Sequence, residues 1–572
     1  MKTRAIKTLL VLMCLGILAA ITLMPLYQSQ YWPLNHEGNT FFLRTQIYAE
    51  HMKQGDFLPI YSSADNYGMG SPQPLLYHKL FYFVSGAIFT ISDNLKTSVA
   101  SSIWFFALLG GAGMYFLCRS VDLDRLSSMG GGAIFIVSNY TITNWLVRGA
   151  MAEFSAAMLV PIAVASYVMS LNPPKKEARF GFLLGVSVAM MFIAHSVLAY
   201  YLVLFMFFAA LAVLLIYRNF KPSFIKTFTV AITAFLFLAG PFVVLMNIFS
   251  TEYNVGRIIP DGYLPKNQIK PFIQYFFDSS WIWGDTWNSY TVQIDLFVLA
   301  ALLIGLFART GYIFRNLRSI SGGTISKYFS LPVTLATFIL LMGLALQTRW
   351  AIPFYEYFPG AQYIQFPWRI LAVITPILIA LALVSISKFR YKNQLVFSVV
   401  AGSIAISGFW PNINYDSFRP NGDLNGLVLS AFGEYVPSAA PAQGYNTVKL
   451  IQDAEVLGCH LEEPNGFSEN TKSSLVTSVS YRCISSAVIP LPIYATSHHR
   501  LVINQGDPNS PSEILRAQPV IKCIAIQEYP GLCGVRLEQG INTIQIYHPT
   551  IYRVIKNSYY DVLEFLHGLE RN

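Results

Sequence analysis

Long apolar runs recur through most of this chain, and they constrain its fold more than any other feature. An apolar helix of about 20 residues spans the ~30 Å hydrocarbon core of a bilayer. The chain is therefore predicted to be a polytopic α-helical membrane protein with about eleven transmembrane helices, one at the N-terminus and the others near residues 97–118, 127–143, 154–171, 179–195, 197–217, 227–248, 292–308, 329–347, 369–387 and 394–410.

The composition supports the same class. Hydrophobic residues make up 54% of the chain and charged residues 12%, against about 25% charged in soluble domains. The net charge of +9 does not indicate a nucleic-acid partner, because the basic residues form short clusters between apolar runs and no stripe with interleaved aromatics. The basic start resembles a signal peptide, but its apolar run is too long and lacks a small-x-small cleavage site. We predict a retained first transmembrane helix.

The basic clusters also predict the topology. The clusters lie at 175–179, 218–226, 309–327 and 388–392. If residues 74–92 do not cross the bilayer, all four share the cytoplasmic side with the basic N-terminus, as the positive-inside rule requires. Residues 74–92 are therefore predicted to lie at the outer interface, or to enter it partway, within a first external loop of about 27–95. The chain after about residue 411 is then extracytoplasmic.

An amphipathic pattern begins within this external loop. Asn39 and Thr40 are plausible helix N-caps, and Gly55 is a natural end. Between them, apolar and polar residues alternate at helical spacing, which predicts an interfacial helix with Leu43, Ile47, Tyr48 and Met52 on one face and Arg44, Gln46, Glu50 and Lys53 on the other.

The last part of the chain changes from apolar runs to alternating, turn-punctuated sequence. The stretches SSLVTSVSYRC, HRLVINQ, QPVIKCIAI and NTIQIYH are typical of short strands, which predicts a β-sandwich-like domain over 411–572. Four of the six cysteines lie there, and an even count outside the cytoplasm indicates two disulfides. Three connectivities are possible; we favour Cys459 with Cys483 and Cys523 with Cys533. A zinc site would need CxxC-type spacing, which is absent.

Glycine-rich stretches and the two remaining cysteines have simpler interpretations. GGAGMYF and MGGGAIF lie in predicted spans and lack the Lys-Ser/Thr of a phosphate loop, so close helix packing is predicted. Cys14 and Cys118 are predicted to be small apolar fillers.

Titratable residues concentrate on the predicted outer side. They are His36 and Glu37 in NHEGNTFFLR, Arg148 and Glu153 in RGAMAEF, His195 in FIAHSVLAYY and Arg369 in YIQFPWRI. Each has an ordinary interpretation: a solvated loop edge, a structural salt bridge, an interface anchor, or an arginine extending to headgroups. Together they place two acids, two histidines and two arginines at one end of one bundle, which predicts a site for a phosphate-bearing lipid.

Three segments carry a resemblance to a known family. The first runs from NHEGNTFFLR to PLLYHKLFYF, the second is VRGAMAEFSAAMLVPIAV, and the third is QFPWRILAV. They resemble signature segments of bacterial multi-pass proteins labelled pyruvoyl-tetrahydropterin-synthase-related. These are similar to C-type (GT-C) glycosyltransferases, including the protein mannosyltransferase and aminoarabinose transferase groups. The resemblance covers about residues 1–410, a GT-C-like transmembrane domain, and more loosely the tail, which is like that of YfhO-like membrane proteins.

The resemblance implies transfer of a sugar from a polyprenyl-phosphate donor at the outer face. In such enzymes an acid in the first external loop is the general base, and Glu37, beside His36, fills that position. Relatives usually have His-Asp where this chain has His-Glu. Arg369 would hold the departing lipid phosphate, with Arg148 or Arg257 as helpers. The remaining substrate-binding candidates are Glu153, His195, Tyr77, His78 and Gln365.

These observations predict a GT-C-like glycosyltransferase of a bacterial inner membrane, with a cytoplasmic N-terminus. Its partners would be the bilayer, the lipid-linked donor and a glycan, lipid or protein acceptor. No cofactor is expected, and a need for a divalent metal stays open. A second hypothesis is a non-catalytic protein that scaffolds or translocates envelope polysaccharide. A transporter is a weaker third, because the predicted spans carry almost no acid apart from Asp295 near an outer end.

Overall fold

A computed structural model describes most of the chain. The described residues are 2–38, 40–171, 177–217, 222–253, 264–277, 292–315, 331–407, 420, 447–461, 475–496, 498–505, 523–551 and 554. The predicted domain boundary near residue 410 lies outside them and stays a prediction.

Helices dominate the first 407 residues. The longer ones, with one helix of the tail, are α1 Lys2–Thr22, α2 Thr40–Lys53, α3 Leu80–Ser92, α4 Leu95–Ser120, α5 Arg125–Val137, α6 Met151–Leu171, α7 Glu177–Ala194, α8 Ser196–Tyr217, α9 Pro222–Ser250, α10 Leu296–Arg315, α11 Leu331–Ala345, α12 Ile352–Tyr357, α13 Leu371–Ile386, α14 Lys392–Ser407 and α15 Thr447–Val456. Short turns of helix occur at Met24–Gln28, Asp65–Gly68, Gln73–Leu76, Asn139–Ile142, Pro265–Asn267, Phe272–Tyr275, Arg349–Ala351, Ala361–Tyr363 and Pro367–Ile370, and Thr143–Val147 is a π-helical turn.

Several helices are long and apolar enough to cross a membrane. In the described part of the chain there are four: Leu95–Ser120, Met151–Ser170, Ile225–Ser250 and Pro367–Ile386. A fifth span is possible if Ala336–Ala345 and Arg349–Tyr357, which meet at a bend of 88°, are taken together. A helix occupies each predicted span, but the count of eleven crossings stays a prediction.

The glycine-rich stretches pack helices closely, as predicted. A Cβ on Gly132 would lie 2.7 Å from the carbonyl oxygen of Gly111, so α4 and α5 approach backbone to backbone. A Cβ on Gly131 would lie 2.7 Å from Cys118 Sγ, and Cys118 is buried with a free thiol, as an apolar filler would be. Cys14, by contrast, is exposed.

The chain divides into two compact units, each discontinuous in sequence. The first comprises Met1–Phe41, Lys96–Pro241 and Ile259–Asp423, and the second comprises Phe42–Leu95, Phe242–Ile258 and Leu424–Asn572. The second unit thus combines most of the predicted external loop with the tail. In it, Tyr494 N–H donates to the carbonyl oxygen of Met69 at 2.8 Å, and the Tyr61 ring stacks on His548 with centroids 5.5 Å apart.

In the described part of the tail, six strands form two antiparallel sheets. The strands are β1 Cys459–Leu461, β2 Val476–Cys483, β3 Ala487–Tyr494, β4 Arg500–Gln505, β5 Leu532–Leu537 and β6 Gly540–Tyr547. One sheet has the order β1-β2-β6-β4 and the other pairs β3 with β5. Buried side chains of both sheets form one apolar core, which is the arrangement that a sandwich requires.

Three strand predictions are confirmed by β2, β4 and β6. The fourth, QPVIKCIAI, lies mostly outside the described residues. The alternation did not predict β1, β3 or β5. Strand β3 carries Pro490 and Pro492, and proline ordinarily argues against a strand unless it lies at a sheet edge. In a two-stranded sheet every strand is an edge strand.

Both predicted disulfides are present, Cys459–Cys483 and Cys523–Cys533. Cys459 and Cys483 face each other in the β1-β2 register. The first bond therefore joins neighbouring strands, and the second joins Cys523, which precedes β5, to Cys533 within β5.

The predicted external helix exists as α2, but its polar face was assigned wrongly at Arg44. Arg44 is buried; its guanidinium donates to Tyr82 Oη at 3.2 Å and lies 4.0 Å from the Tyr77 ring centroid. The planar guanidinium stacks on aromatic rings and satisfies its donors there. Most of α2 is buried in its unit, and Glu50 and Lys53 remain exposed as predicted.

Candidate functional site

The loop that carries the predicted base is joined to the segment that carries the predicted arginine. The His36 N–H donates to the carbonyl oxygen of Val147 at 3.1 Å, and the Glu37 N–H donates to that of Arg148 at 3.0 Å. Two main-chain bonds therefore set the position of the Glu37 Cα relative to Arg148.

Gly149 makes this close approach possible. Its φ of +67° is a left-handed conformation, and a Cβ there would lie 2.3 Å from Asn35 Oδ1 and 3.3 Å from Glu37 Cβ. A side chain at this position would strain the backbone and collide with the loop. The glycine in RGAMAEF is required by the site geometry.

Glu153 lies at the centre of a buried ion-pair network. Its carboxylate accepts from Arg148 Nη1 at 2.8 Å and Nη2 at 3.0 Å, from Arg369 Nε at 2.9 Å, and from Tyr140 Oη at 2.5 Å. The Glu153 side chain is 1% exposed. Two cations face one carboxylate, so the network carries one positive charge in excess.

Aromatic rings hold both guanidinium groups. Arg148 Cζ lies 4.4 Å from the Trp368 ring centroid, and Arg369 Cζ lies 4.7 Å from that of Phe366. Arg369 uses Nε for Glu153; within the described residues, its two terminal amino groups have no hydrogen-bond partner. These are the groups with which a guanidinium binds phosphate oxygens in pairs.

Glu37 contrasts with Glu153. It is half-buried, and across the described ranges no hydrogen bond or ion pair reaches its carboxylate. Burial, with the positive charges of Arg148 and Lys270, lowers the pKa of the neighbouring His36 to about 4. His36 is therefore uncharged at neutral pH and does not neutralise the Glu37 carboxylate.

His195 and Gln365 lie in the same compact unit. His195 is buried at the break between α7 and α8, where its Nδ1 accepts from Leu198 N–H at 3.4 Å. Both Arg148 and Arg369 are close enough to act electrostatically on its ring. Gln365 is half-buried just before Phe366. The first unit thus contains seven of the proposed site residues, and Gln365 lies on the segment leading to Arg369; the seven are His36, Glu37, Arg148, Glu153, His195, Gln365 and Arg369.

Tyr77 and His78 belong to the second unit. Their rings form an edge-to-face pair with centroids 5.0 Å apart, and Tyr77 is the ring that Arg44 covers. Arg257 lies outside the described residues, so its predicted role as a helper stays a prediction.

Sequence reasoning missed four residues of this site: Tyr140, Asn144, Lys270 and Trp368. Trp368 stands within the quoted QFPWRI, and its position beside Arg369 was an available signal. Asn144 Oδ1 accepts from Arg148 Nη1. Tyr140 and Asn144 lie in an apolar stretch that ends in a π-helical turn, Thr143–Val147. Such turns are frequent at functional sites but have no sequence signature.

Among the described residues, no three His, Cys, Asp or Glu side chains lie together as a metal site requires.

Comparisons with known proteins give structural neighbours only. No family model and no curated protein matches the chain. Solved structures similar to it include the arabinofuranosyltransferase AftD from Mycobacteria, with 14% identity, a TM-score of 0.45, and coverage of 69% of this chain and 26% of that one. ArnT from Cupriavidus metallidurans, bound to undecaprenyl phosphate, has 14% identity, a TM-score of 0.39, and coverage of 70% and 63%.

A third neighbour is the oligosaccharyltransferase AglB from Archaeoglobus fulgidus, in complex with an inhibitory peptide and a dolichol-phosphate. It has 13% identity, a TM-score of 0.37, and coverage of 71% of this chain and 54% of that one. The chain thus spans less than two thirds of each neighbour. Similarity at this level assigns no reaction, and a functional proposal must rest on the chain's own residues.

Proposed function

We propose that this protein is a membrane glycosyltransferase. It moves a sugar from a polyprenyl-phosphate-linked donor to an envelope glycan, lipid or protein acceptor at the outer face of a bacterial inner membrane. One observation carries the proposal: Glu153 is shared by buried Arg148 and partly buried Arg369, which leaves a positive charge in excess beside the loop that bears Glu37.

The excess charge supports an anionic ligand. A buried cation is stable only when it is paired, and Glu153 compensates one of the two arginines. A lipid phosphate would compensate the other by accepting from the terminal amino groups of Arg369, which have no partner within the described residues. Lys270, whose charge acts on His36, adds to the positive potential.

The two carboxylates have separate roles in this proposal. Glu153 accepts from two arginines and Tyr140, so its oxygens are already engaged and it orients the cations. Glu37, which no described residue engages through its carboxylate, accepts the acceptor's proton. The acceptor oxygen bonds to the anomeric carbon as the bond from that carbon to the phosphate oxygen breaks. The electron pair stays with the phosphate, and the proton moves to Glu37.

The test begins with the biological reaction, since donor and acceptor must first be identified. Lipid, protein and polysaccharide fractions of a deletion strain are compared with those of the parent to find the missing glycan. Complementation with wild type should restore it. Glu37→Gln keeps the shape of the side chain and removes its basicity, so transfer should fall by ~100-fold or more at an unchanged membrane level.

Glu37→Asp is the matched variant. It restores the acid that relatives usually carry and should retain more activity than Glu37→Gln. If Glu37→Gln complements fully, Glu37 is not the base. If the deletion changes envelope glycans but no variant of Glu37 or Arg369 affects them, the non-catalytic scaffold or translocator replaces the proposal.

A further inference from the structure

Two asparagine side chains, one in contact with Arg148 and one in contact with Gly149, each contain a buried polar atom that no described residue satisfies. These atoms are Asn35 Oδ1 and Asn144 Nδ2. Asn35 is 8% exposed and Asn144 is 0% exposed. A buried donor or acceptor without a partner costs ~1–3 kcal/mol, and native proteins retain few of them. Two such groups beside one proposed catalytic residue require an explanation.

The orientation of each amide follows from its other contact. Asn144 Oδ1 accepts from Arg148 Nη1, and a guanidinium has donors only. Asn35 Nδ2 donates to the carbonyl oxygen of Pro33 at 3.2 Å, which has lone pairs only. Rotating either amide by 180° would bring two donors or two acceptors together. The unsatisfied groups are therefore an acceptor on Asn35 and a donor on Asn144.

Both side-chain amides contact the segment that anchors the catalytic loop. Asn35 Oδ1 lies against Gly149, 2.3 Å from the position of a Cβ there. The Ala150 N–H donates to the carbonyl oxygen of Asn144 at 2.9 Å. The Glu37 N–H donates to the carbonyl oxygen of Arg148, so the segment that both asparagines contact is also the one to which Glu37 is anchored.

We infer that Asn35 and Asn144 form a hydroxyl-binding subsite of the transferase proposed above, on which this inference rests. A hydroxyl group donates one hydrogen bond and accepts others, so it matches one unsatisfied acceptor and one unsatisfied donor. The ligand class is a sugar or other polyol, and the hydroxyl belongs to the donor sugar or to the acceptor. A site built for a hydroxyl discriminates strongly against ligands that lack it, because its buried groups then stay unpaired.

Binding to the purified full-length protein in nanodiscs, without sugar-based detergent, tests the inference. The probes are undecaprenyl phosphate, the same lipid carrying arabinose, glucose or mannose, and methyl glycosides of these sugars. The sugar advantage is the affinity for the sugar-bearing lipid divided by the affinity for the bare lipid. The affinity for each methyl glycoside is measured beside it. At least one sugar should give wild type an advantage of about tenfold or more.

Two variants remove the unsatisfied groups separately. Asn144→Asp keeps the oxygen that accepts from Arg148 and replaces the donor, and Asn35→Leu removes the acceptor. Each should reduce the sugar advantage about tenfold; the charge added by Asn144→Asp affects both lipids and cancels in the ratio. The control is Asn139→Leu. Asn139 is a buried asparagine whose Nδ2 donates to the carbonyl oxygen of Gln293 at 2.7 Å, so its loss should lower stability and leave the sugar advantage intact.

The outcomes separate the two proposals. Loss of advantage for lipid-linked sugars assigns the hydroxyl to the donor, and loss for methyl glycosides assigns it to the acceptor; either supports the subsite. A sugar advantage that is absent in wild type, or retained in both variants, overturns the subsite while undecaprenyl phosphate binding still supports the transferase. If wild type binds neither the bare nor the sugar-bearing lipid, the proposed function fails and the subsite fails with it.

Discussion

The main-chain N–H of Glu37 donates to the carbonyl oxygen of Arg148 over 3.0 Å. This bond links the residue proposed as general base to one of the two arginines that hold Glu153. A general base must lie within hydrogen-bond reach of its proton in the bound substrate. Because the link is made by main chain, changes in the Arg148–Gly149 backbone should move the base even when no catalytic side chain is altered.

Gly149→Ala should disrupt this arrangement. Its φ of +67° is unfavourable for alanine, and the added Cβ would meet Asn35 Oδ1 at 2.3 Å; together these cost roughly 1–3 kcal/mol and displace the loop. Gly38→Ala is the matched control, since Gly38 has a φ of +56° but nothing within 4 Å of the Cβ position. Thermal unfolding and transfer assays should show a much larger loss for Gly149→Ala. Equal losses would mean that backbone strain alone matters and that the Asn35 contact does not.

Glu153→Gln should lower stability more than any other single change proposed for the site. It leaves buried Arg148 and partly buried Arg369 without their shared counterion, and breaking a buried ion pair in this way costs about 3–5 kcal/mol. Asp124→Asn is the control. It breaks the 2.7 Å pair of Asp124 with Lys392, whose side chains are 39% and 37% exposed, and keeps the oxygen that accepts from the Ser127 N–H. Exposed pairs of this kind contribute ~0–1 kcal/mol. Unfolding in detergent compares the two. A Glu153→Gln protein as stable as wild type would contradict the network.

Much of the helical organisation could be predicted because apolar length depends only on local sequence. Close packing at the glycine stretches and the presence of two disulfides were also predictable, whereas the cysteine pairing was one of three connectivities that the sequence allowed. The burial of Arg44 was not: a helical wheel places charge outside, and only the rings of Tyr77 and Tyr82 make the interior favourable. Likewise, the joining of the external loop to the tail depends on contacts between distant segments.

The contacts among the proposed site residues could not be predicted from the sequence. Arg148, Glu153 and Arg369 were proposed together, with Arg148 or Arg257 helping Arg369 to hold the phosphate, but a bond from Arg369 to Glu153 was not predicted. The shared carboxylate depends on tertiary structure, because residues 153 and 369 are brought together by packing of different helices. Asn144 and Tyr140 were not predicted either, because isolated polar residues in an apolar stretch produce no periodic pattern.

Cysteine labelling should report the predicted topology. In a chain with Cys14→Ser, thiols engineered at exposed Phe57, Ile273 and Val456 should react with a membrane-impermeant reagent added outside. Thiols at Asp122 and Tyr391, which are also exposed, should react only after permeabilisation, because they lie on predicted cytoplasmic turns. Reaction of Tyr391→Cys in intact cells would show that the orientation is the opposite of the predicted one, with the proposed site on the cytoplasmic side.

The disulfides should make the tail sensitive to reduction. Non-reducing electrophoresis should show a mobility shift on reduction, and Cys523→Ser should weaken it and destabilise the tail by ~2–4 kcal/mol, because closing a loop removes entropy from the unfolded chain. Thiol counting on unfolded protein provides the control: wild type should expose only Cys14 and Cys118. Six reactive thiols would show that the tail is not in an oxidising compartment.

His36 should make stability depend on pH. Its pKa is lowered to about 4 in the folded protein, first by burial and then by Arg148 and Lys270, whereas an unfolded histidine has a pKa of about 6.5. Between these values the unfolded chain binds the proton and the folded protein does not, so the contribution of His36 is fully present above pH 6.5 and is lost as pH falls towards 4. Burial likewise lowers the pKa of His499 to about 3, so His499 contributes to the pH dependence with the same sign.

Unfolding curves from pH 4 to 8 should therefore be compared between wild type and His36→Gln, which cannot titrate. The variant should lose less stability over this interval while the contribution of His499 remains. Identical slopes would show that His36 is exposed to solvent and that the loop is not held against Val147 and Arg148.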